Sequence, residues 1–383
     1  MSLKIVAKVH AETAEAVLAA SVPDHTVAIV NLGGIRHNFS VLKEVAGAAQ
    51  QLAPALKANA YGLGMAPIAS VLSEEGANRF FVAHVSEAVT LRAHLPFATI
   101  AVLHGLVTRN VEEAVRLKLT PVISTLEQMR LWLAAAERAG EKLPAMLHVN
   151  TGMSRLGLME SDVVQLAADT AWHGRLNILG LMSHLASADE PEKEQNQQQL
   201  ARFLAAAKRL PPMPLSLANS PGLFLGRDYH FDFARPGKAL YGHFVSPLQS
   251  PRLRPAVSFY APILQVAEMA AGESVGYNAT FKAPHAMRVA TLAVGYADGL
   301  RRHLSNTGKL FVAGVACPVV GRISMDLTVI DVSAVPAESV CIGQWAEVFG
   351  PHQPLFDVAN DARTNCYELL TSLTNRVERV YVA

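Results

Sequence analysis

One lysine, Lys57, stands where an apolar segment gives way to a glycine-rich turn. Residues 52–56 are mostly apolar and typical of a buried strand, and residues 55–64 read Ala-Leu-Lys-Ala-Asn-Ala-Tyr-Gly-Leu-Gly. A partly desolvated lysine amine can form a Schiff base with a carbonyl compound, whereas a solvated lysine after a strand has no chemical role. The lysine alone does not distinguish between these two interpretations, so the residues that surround it in the fold must be considered.

Further polar residues and glycines follow apolar runs later in the chain. They are Tyr61, Arg155, His184, Asn219, Ser220, Arg235 and Gly237. The set combines cations, a histidine, hydrogen-bonding side chains and glycine, which lets a ligand approach backbone N–H groups closely. It could hold a small anionic group if the fold brings its members together.

A regular alternation of strands and helices is the element pattern that must position these residues. Short apolar runs lie near residues 52–56, 79–85, 99–103, 120–123, 144–149, 178–183, 214–218 and 231–234. Segments with helical spacing separate most of them, at 65–75, 112–117, 126–139, 163–171 and 195–210. Eight such strands predict an α/β fold, a (β/α)8 TIM barrel, more than an open sheet. Before the barrel we expect a helix at 10–20, a strand at 26–31 and a helix at 35–49.

The barrel register places the polar residues on one face, because barrel enzymes carry their chemistry at the carboxyl ends of the strands. Loops after strands seven and eight commonly bind phosphate, and Ser220, Gly222 and Gly237 lie there. A lysine across the mouth from a phosphate site is what pyridoxal 5′-phosphate requires. No P-loop, His-Glu-x-x-His or Gly-x-Ser-x-Gly motif competes, and we expect no metal. Met182 and Met325 are expected to be packing residues rather than ligands.

The pattern changes near a group of prolines, Pro247, Pro251, Pro255 and Pro262. Alternating, valine-rich segments follow at 257–269, 288–295, 309–312, 325–332 and 345–349, and residues 367–382 suggest a short helix and a strand. We therefore predict two domains. Residues 1–250 form the barrel with an N-terminal extension, and residues 251–383 form a mostly β domain.

The composition excludes several classes of function. The 383-residue chain has a net charge of +1 and 51% hydrophobic residues, so nothing favours nucleic acid or an anionic membrane as partner. Cys317, Cys341 and Cys366 form no Cys-x-x-Cys pair and are expected to be reduced thiols. No apolar run is long enough for a membrane helix, and residues 1–21 lack a signal-peptide core, which predicts a cytoplasmic protein.

The stretch Lys57-Ala-Asn-Ala-Tyr-Gly-Leu-Gly resembles the cofactor-lysine motif of the alanine racemase family, and further motifs of that family follow it in the same order. The other matching motifs are Asn150-Thr-Gly-Met-Ser-Arg-Leu-Gly, His184-Leu-Ala-Ser-Ala-Asp, Ala218-Asn-Ser, Arg235-Pro-Gly-Lys-Ala-Leu-Tyr-Gly, Val275-Gly-Tyr-Asn-Ala-Thr-Phe, Gly295-Tyr-Ala-Asp-Gly, Gly321-Arg-Ile-Ser-Met-Asp and Tyr367-Glu. The resemblance runs from about residue 27 to 381 and is highly specific.

The resemblance implies a pyridoxal-phosphate enzyme that works as a head-to-tail homodimer with active sites shared between chains. Lys57 would bind the cofactor and act as one base, and Tyr277, supplied by the partner, as the other. Racemisation needs both, because a proton leaves one face of the substrate and returns to the opposite one. We expect burial to lower the pKa of Lys57 and neighbouring cations to favour the phenolate of Tyr277.

The resemblance also implies roles for the other residues. Arg235 would face the pyridine nitrogen and Arg155 the phenolic oxygen and substrate, while His184 would connect Tyr277 to Arg235. The remaining assignments are Tyr61, Ser220, Gly237 and Tyr367 at the phosphate, Asn219 beside the cofactor, and Met325 and Asp326 of the partner near the substrate carboxylate.

The chain departs from the family at His148. Many members carry a lysine there, carbamylated in some, which orients the arginine at the phenolic oxygen. A lysine carbamate cannot form on His148, so Arg155 must be positioned otherwise, with Asn150 or chloride as candidates.

The sequence therefore predicts an alanine racemase activity, with alternatives left open. Another amino-acid racemase of this fold, acting on serine, lysine or arginine, would carry the same cofactor motifs. A non-catalytic pyridoxal-phosphate-binding protein is a second alternative, although such proteins usually lack the second domain. A decarboxylase of this fold is disfavoured, because it would need a cysteine in a different motif of the second domain.

Overall fold

The structure is a computed structural model that describes residues 14–22, 24–48, 50–169, 171–242 and 252–383. Its first elements are the helix Ala14–Ala20, the strand Val27–Asn31 and the helix Leu32–Ala46. The Asn31 side chain begins the third of these by accepting a hydrogen bond from the Gly34 N–H at 2.7 Å. The helix predicted at 10–20 is confirmed over its described part; residues 10–13 and Ala49 lie outside the described residues.

Eight parallel segments follow and close into a ring. They are Gln51–Leu52, Arg79–Val82, Thr99–Val102, Thr120–Ile123, Leu143–His148, Leu176–Met182, Leu215–Ser216 and Phe233–Ala234. Strands two to seven form one continuous sheet, and strand one pairs with strand eight. Single bridges between Ala55 and Phe81 and between Asn219 and Arg235 complete the circle. The predicted (β/α)8 barrel is confirmed.

Side chains alternate between the two faces of these strands. Phe81, Ala101, Val122, Met146, Met182 and Phe233 form a separate buried cluster inside the ring. Their neighbours along the chain, such as Phe80 and Ile100, pack against the surrounding helices. Met182 is thus a packing residue, as predicted.

Helices cover the outside of the ring at Met65–Glu74, Val85–His94, Val111–Arg116, Leu126–Ala139, Glu160–Ala168 and Glu194–Arg209. The helix Val85–His94 was not predicted, and the run assigned to a strand at 79–85 ends inside it. Val85, Val89 and Thr90 are β-branched and disguise its helical pattern. Short 3-10 turns, Pro221–Phe224 and Lys238–Tyr241, follow strands seven and eight.

The second domain is built on an eight-stranded sheet, counted over the described residues. Its strands are Val27–Asn31, Val257–Met269, Met287–Leu292, Lys309–Val312, Val315–Pro318, Thr328–Asp331, Trp345–Phe349 and Glu378–Val382. A hairpin, Ser274–Val275 with Phe281–Lys282, and the helices Leu355–Asp361 and Cys366–Ser372 complete it. Three predicted strands, 257–269, 309–312 and 345–349, match the observed bounds, whereas the hairpin, Val315–Pro318 and Leu355–Asp361 were not predicted.

The first strand of the described chain belongs to the second domain, although it comes before the barrel in the sequence. Val27–Asn31 pairs antiparallel with Val257–Met269 and parallel with Glu378–Val382, so it lies in the second domain's sheet although it precedes the barrel. A division of the chain at residue 250 assigns this strand to the barrel, which its pairing does not support. The predicted division point itself falls in 243–251, outside the described residues. Across the part of the chain that the structure describes, no helix has the length and apolarity needed to cross a membrane.

Candidate functional site

Lys57 introduces a turn with an unusual backbone. The four residues after it, Ala58 to Tyr61, have φ angles between 53° and 58°. These values belong to the left-handed helical region, which costs an L-residue about 1–2 kcal/mol. None of the four is glycine, so contacts with the rest of the fold must hold the turn in place.

Two polar side chains supply such contacts. The Glu87 carboxylate accepts hydrogen bonds from the Ala58 N–H at 2.6 Å and from the Ala83 N–H at 2.7 Å. The Asn59 side chain accepts one from the Met65 N–H at 2.8 Å. Glu87 therefore ties the turn to the end of strand two. Sequence reasoning missed this residue, although its position three residues after His84 is that of a capping-box glutamate.

The lysine amine lies among positive charges. Lys57 is half-buried, and burial lowers its pKa below the ordinary value. The Arg155 guanidinium lowers this pKa further, while the Glu87 carboxylate opposes the change. The predicted direction is confirmed, and a larger fraction of the amine is neutral at a given pH than for a solvated lysine.

Arg235 is a buried cation that follows barrel strand eight. Its guanidinium donates hydrogen bonds to the Ser216 hydroxyl and the Ser183 carbonyl, and to the Leu217 carbonyl at 3.3 Å. Burial lowers the pKa of Arg235 to about 9, so the group remains protonated at neutral pH. The serines that hold it were not among the predicted site residues.

Two histidines lie beside these arginines. Burial, reinforced by the charges of Arg235 and Arg155, lowers the pKa of His148 to about 4 and that of His184 well below its ordinary value. Both rings are therefore neutral at physiological pH. The Nδ1 atom of His148 lies 3.3 Å from the Ser124 hydroxyl.

Asn150, one of the two candidates from the sequence, makes no described hydrogen bond with Arg155. Its side-chain oxygen accepts hydrogen bonds from the Gly152 and Ser154 N–H groups, both at 3.0 Å, and so shapes the loop that carries the arginine. Among the described residues, the exposed Arg155 has no hydrogen-bond or ion-pair partner.

Three of the residues assigned to a phosphate, Tyr61, Ser220 and Gly237, lie in contact with one another. The Ser220 hydroxyl accepts hydrogen bonds from the Gly237 N–H at 2.9 Å and the Ala239 N–H at 3.2 Å. The Tyr61 hydroxyl lies so close to Gly237 that a Cβ there would collide with it. Burial raises the pKa of Tyr61 above its ordinary value, and the nearby Tyr367 of the second domain raises it further. Because the Ser220 oxygen accepts the bonds from Gly237 and Ala239, its hydroxyl hydrogen is left to donate, and neutral hydroxyls of this kind are suited to a phosphate.

Asn219 fixes the loop behind this cradle. Its side chain donates to the Leu185 carbonyl at 3.2 Å and accepts from the Gly222 N–H at 3.0 Å. Lys238, which sequence reasoning did not select, also lies at the cradle, 3.5 Å from the Tyr367 hydroxyl. Lys57 lies four residues before Tyr61, after the strand that pairs with strand eight, and the arrangement fits pyridoxal phosphate.

Three predicted residues lie apart from this group, on the surface of the second domain. Tyr277 is 68% exposed and Met325 is 53% exposed. Asp326 forms an ion pair with Arg376 at 2.6 Å. No described contact within the chain brings any of the three to Lys57, and their predicted placement in a partner's site remains a prediction.

Comparison with known proteins identifies relatives over nearly the whole chain. The family described as "Alanine racemase, N-terminal domain" matches residues 30–245, and "Alanine racemase, C-terminal domain" matches residues 256–381. An alanine racemase of Brucella canis is 43% identical over 367 residues, covering 92% of each chain. A relative from Agrobacterium fabrum, named as a catabolic alanine racemase, is 42% identical over 354 residues, 92% of this chain and 91% of its own.

A solved structure shares the fold. The alanine racemase of Bartonella henselae, whose crystal structure carries covalently bound pyridoxal phosphate, superposes with a TM-score of 0.89 at 36% identity. The match covers 94% of this chain and 100% of that one.

Proposed function

Because the chain belongs to the alanine racemase family, whose members use pyridoxal phosphate, we propose that it interconverts L- and D-alanine through two proton-transfer groups, Lys57 and Tyr277. The observation that carries this proposal is the position of Lys57. Its amine, with a lowered pKa, lies at the carboxyl end of a barrel strand among Arg155, Arg235 and His184.

The residues at the barrel mouth divide the tasks of holding the cofactor. Lys57 would bind it covalently, and Tyr61, Ser220, Gly237 and Tyr367 would hold its phosphate. When bound, pyridoxal phosphate supplies an electron sink that acidifies the α-hydrogen of an attached amino acid. The protein must then position the substrate and move the proton.

Lys57 is suited to accept that proton. Its desolvation and the nearby Arg155 charge favour the neutral amine, which is the form that acts as a base. Arg235, held by Ser216 and Ser183, would donate a hydrogen bond to the ring nitrogen and keep a positive charge there. Its charge would disfavour protonation of that nitrogen, which would limit side reactions of the substrate.

The second base requires a partner chain, so we propose a homodimer. The loop that carries Tyr277 lies beside residues 321–322, and four exposed large side chains belong to this loop or to the segments near it. They are Tyr277, Tyr296, Met325 and Leu327. A surface of this composition is suited to association, and head-to-tail pairing would place Tyr277 on the face opposite Lys57.

The cellular context also remains a proposal. Cys317, Cys341 and Cys366 are free thiols, which fits the reducing cytoplasm. A racemase restores the equilibrium between the two enantiomers. In a cell that consumes D-alanine, its net reaction would therefore be D-alanine biosynthesis.

Incubation with single L-amino acids in D₂O tests the reaction. We expect L-alanine to acquire α-deuterium and to yield D-alanine, with serine, lysine and arginine reacting poorly. Exchange without the D-product would contradict the two-base mechanism. Turnover of lysine or arginine with none of alanine would favour the alternative racemases instead.

A further inference from the structure

Lys238 is a charged residue at the phosphate cradle to which no role has been given so far. Its ammonium forms an ion pair with Asp189 and lies 3.5 Å from the Tyr367 hydroxyl oxygen. The same ammonium lies 5.3 Å from the centre of the Tyr367 ring. The side chain is only 14% exposed, so solvent screens these interactions less than at the open surface.

The three residues come from three separate parts of the fold. Asp189 lies in the loop after barrel strand six, Lys238 begins the turn after strand eight, and Tyr367 lies on the helix Cys366–Ser372 of the second domain. Lys238 thus connects the barrel to the one predicted phosphate residue that the second domain supplies.

Donor and acceptor chemistry determines which group donates in the contact between Lys238 and Tyr367. An ammonium group has donors only, so in the contact with Tyr367 the hydroxyl oxygen is the acceptor. The hydroxyl hydrogen is then left to be donated elsewhere. A phosphate ester carries close to two negative charges and offers only acceptors at neutral pH, and the four residues assigned to it are all neutral.

We propose that Lys238 is a positioning residue for a phosphate-bearing cofactor, acting by directing the Tyr367 hydroxyl hydrogen toward the phosphate. The inference rests on the proposed function, because it assumes that pyridoxal phosphate occupies this cradle. It concerns the phosphate alone and makes no demand on the bond to Lys57 or on proton transfer.

Binding of two probes to the apoprotein separates this role from general damage. Pyridoxal phosphate and pyridoxal differ only in the phosphate, and both can react with Lys57. For Lys238→Met we expect pyridoxal phosphate to bind about tenfold or more weakly, the usual effect of losing a hydrogen bond that involves a charged group. Pyridoxal should bind as it does to the unaltered protein. Titrations followed by visible absorbance give both dissociation constants.

A second substitution tests whether the effect passes through Tyr367. Tyr367→Phe should also weaken pyridoxal phosphate selectively, and adding Lys238→Met to it should cause little further loss. Lys193→Met, which breaks the exposed ion pair with Glu190, is the matched control and should leave both probes unaffected.

Two results would overturn the inference. Equal weakening of both probes by Lys238→Met would assign Lys238 a purely structural role. A loss in the Tyr367→Phe background as large as in the unaltered protein would show that Lys238 does not act through Tyr367. Failure of the unaltered protein to bind pyridoxal phosphate or to racemise alanine would refute the proposed function itself, which is a separate outcome.

Discussion

The surroundings of Lys57 determine its pKa, and neighbours of opposite charge shift that pKa in opposite directions. Burial and Arg155 lower the pKa of its ammonium, and Glu87 raises it. Arg235 is held by hydrogen bonds to Ser216 and Ser183 rather than by a carboxylate. The site therefore keeps its positive charge for an anionic ligand and, at the same time, disfavours a protonated lysine.

Arg155→Met should raise the pKa of Lys57, because it removes a repelling charge. In the apoprotein, only the neutral amine reacts with pyridoxal phosphate, so the pH at half-maximal reaction rate reports this pKa. We expect that pH to lie below the ordinary lysine value of about 10.4 and to rise in Arg155→Met. Reductive trapping followed by mass spectrometry measures the rate.

Arg209→Met is the control for this prediction, since Arg209 pairs with Glu160 on the surface of the barrel. It should leave the profile unchanged. A profile that is also unchanged in Arg155→Met would show that Arg155 does not act on Lys57 electrostatically.

His148 couples stability to pH. Its folded pKa of about 4 lies below the ordinary histidine value near 6.5, so the unfolded chain binds more protons between these limits. The contribution of His148 to the free energy of unfolding is present in full above pH 6.5 and is lost as the pH falls toward 4. Between pH 7 and pH 5 the loss should be about 2 kcal/mol.

His148→Gln, which cannot titrate, should be less sensitive to acid over this range. Urea unfolding at pH 7 and pH 5 measures the difference, and the unaltered protein should lose more stability than the variant. Equal losses would mean that His148 has the same pKa in the folded and unfolded states.

The turn after Lys57 is an element whose conformation contradicts the local preferences of its residues. Ala58 has φ 54° and ψ 46° in an exposed position, where a β-carbon is unfavourable. The contacts of Glu87 and Asn59 outweigh this cost and fix the direction in which Lys57 enters the barrel mouth.

Glycine substitution should therefore have opposite effects in two elements. Ala58→Gly should leave stability unchanged or increase it, because glycine adopts the left-handed conformation without strain. Ala134→Gly, in the exposed middle of the right-handed helix Leu126–Ala139, should lose about 1 kcal/mol. Thermal unfolding of both variants makes the comparison, and a destabilised Ala58→Gly would refute the strained turn.

At the scale of the whole molecule, the described chain places Lys57 and Tyr277 on different surfaces. Lys57 lies at the half-buried barrel mouth, whereas Tyr277 projects from the second domain. Within one chain there is no described contact between them, and under the proposed mechanism a second copy would supply Tyr277.

Two variants that are each inactive should then recover racemase activity when they form a hybrid dimer. In a hybrid of Lys57→Ala with Tyr277→Phe, one of the two shared sites contains both unaltered residues. Co-expression should recover about a quarter of the normal activity, because half of randomly paired dimers are hybrids with one working site each. Each variant alone should be inactive in alanine racemisation. A mixture without activity, although hybrids are detected by native mass spectrometry, would show that both bases come from one chain.

The sequence by itself determined the barrel and most strands of the second domain, and its motifs led to the prediction that Lys57 is the cofactor lysine. Apolar runs at regular spacing are a local signal, and so are the motifs around Lys57 and Arg235. These features need no knowledge of distant contacts, because period and residue type already specify which faces are buried.

Only the tertiary structure decided how these parts are held. The left-handed turn at Ala58 depends on Glu87, 29 residues further along the chain. The strand Val27–Asn31 joins the second domain because its partners lie at Val257–Met269 and Glu378–Val382. The contact between Lys238 and Tyr367 spans 129 residues. Hydrogen bonds between such distant residues leave no periodic pattern in a single sequence, so the contacts of Glu87 with Ala58 and of Lys238 with Tyr367 emerged only from the folded structure.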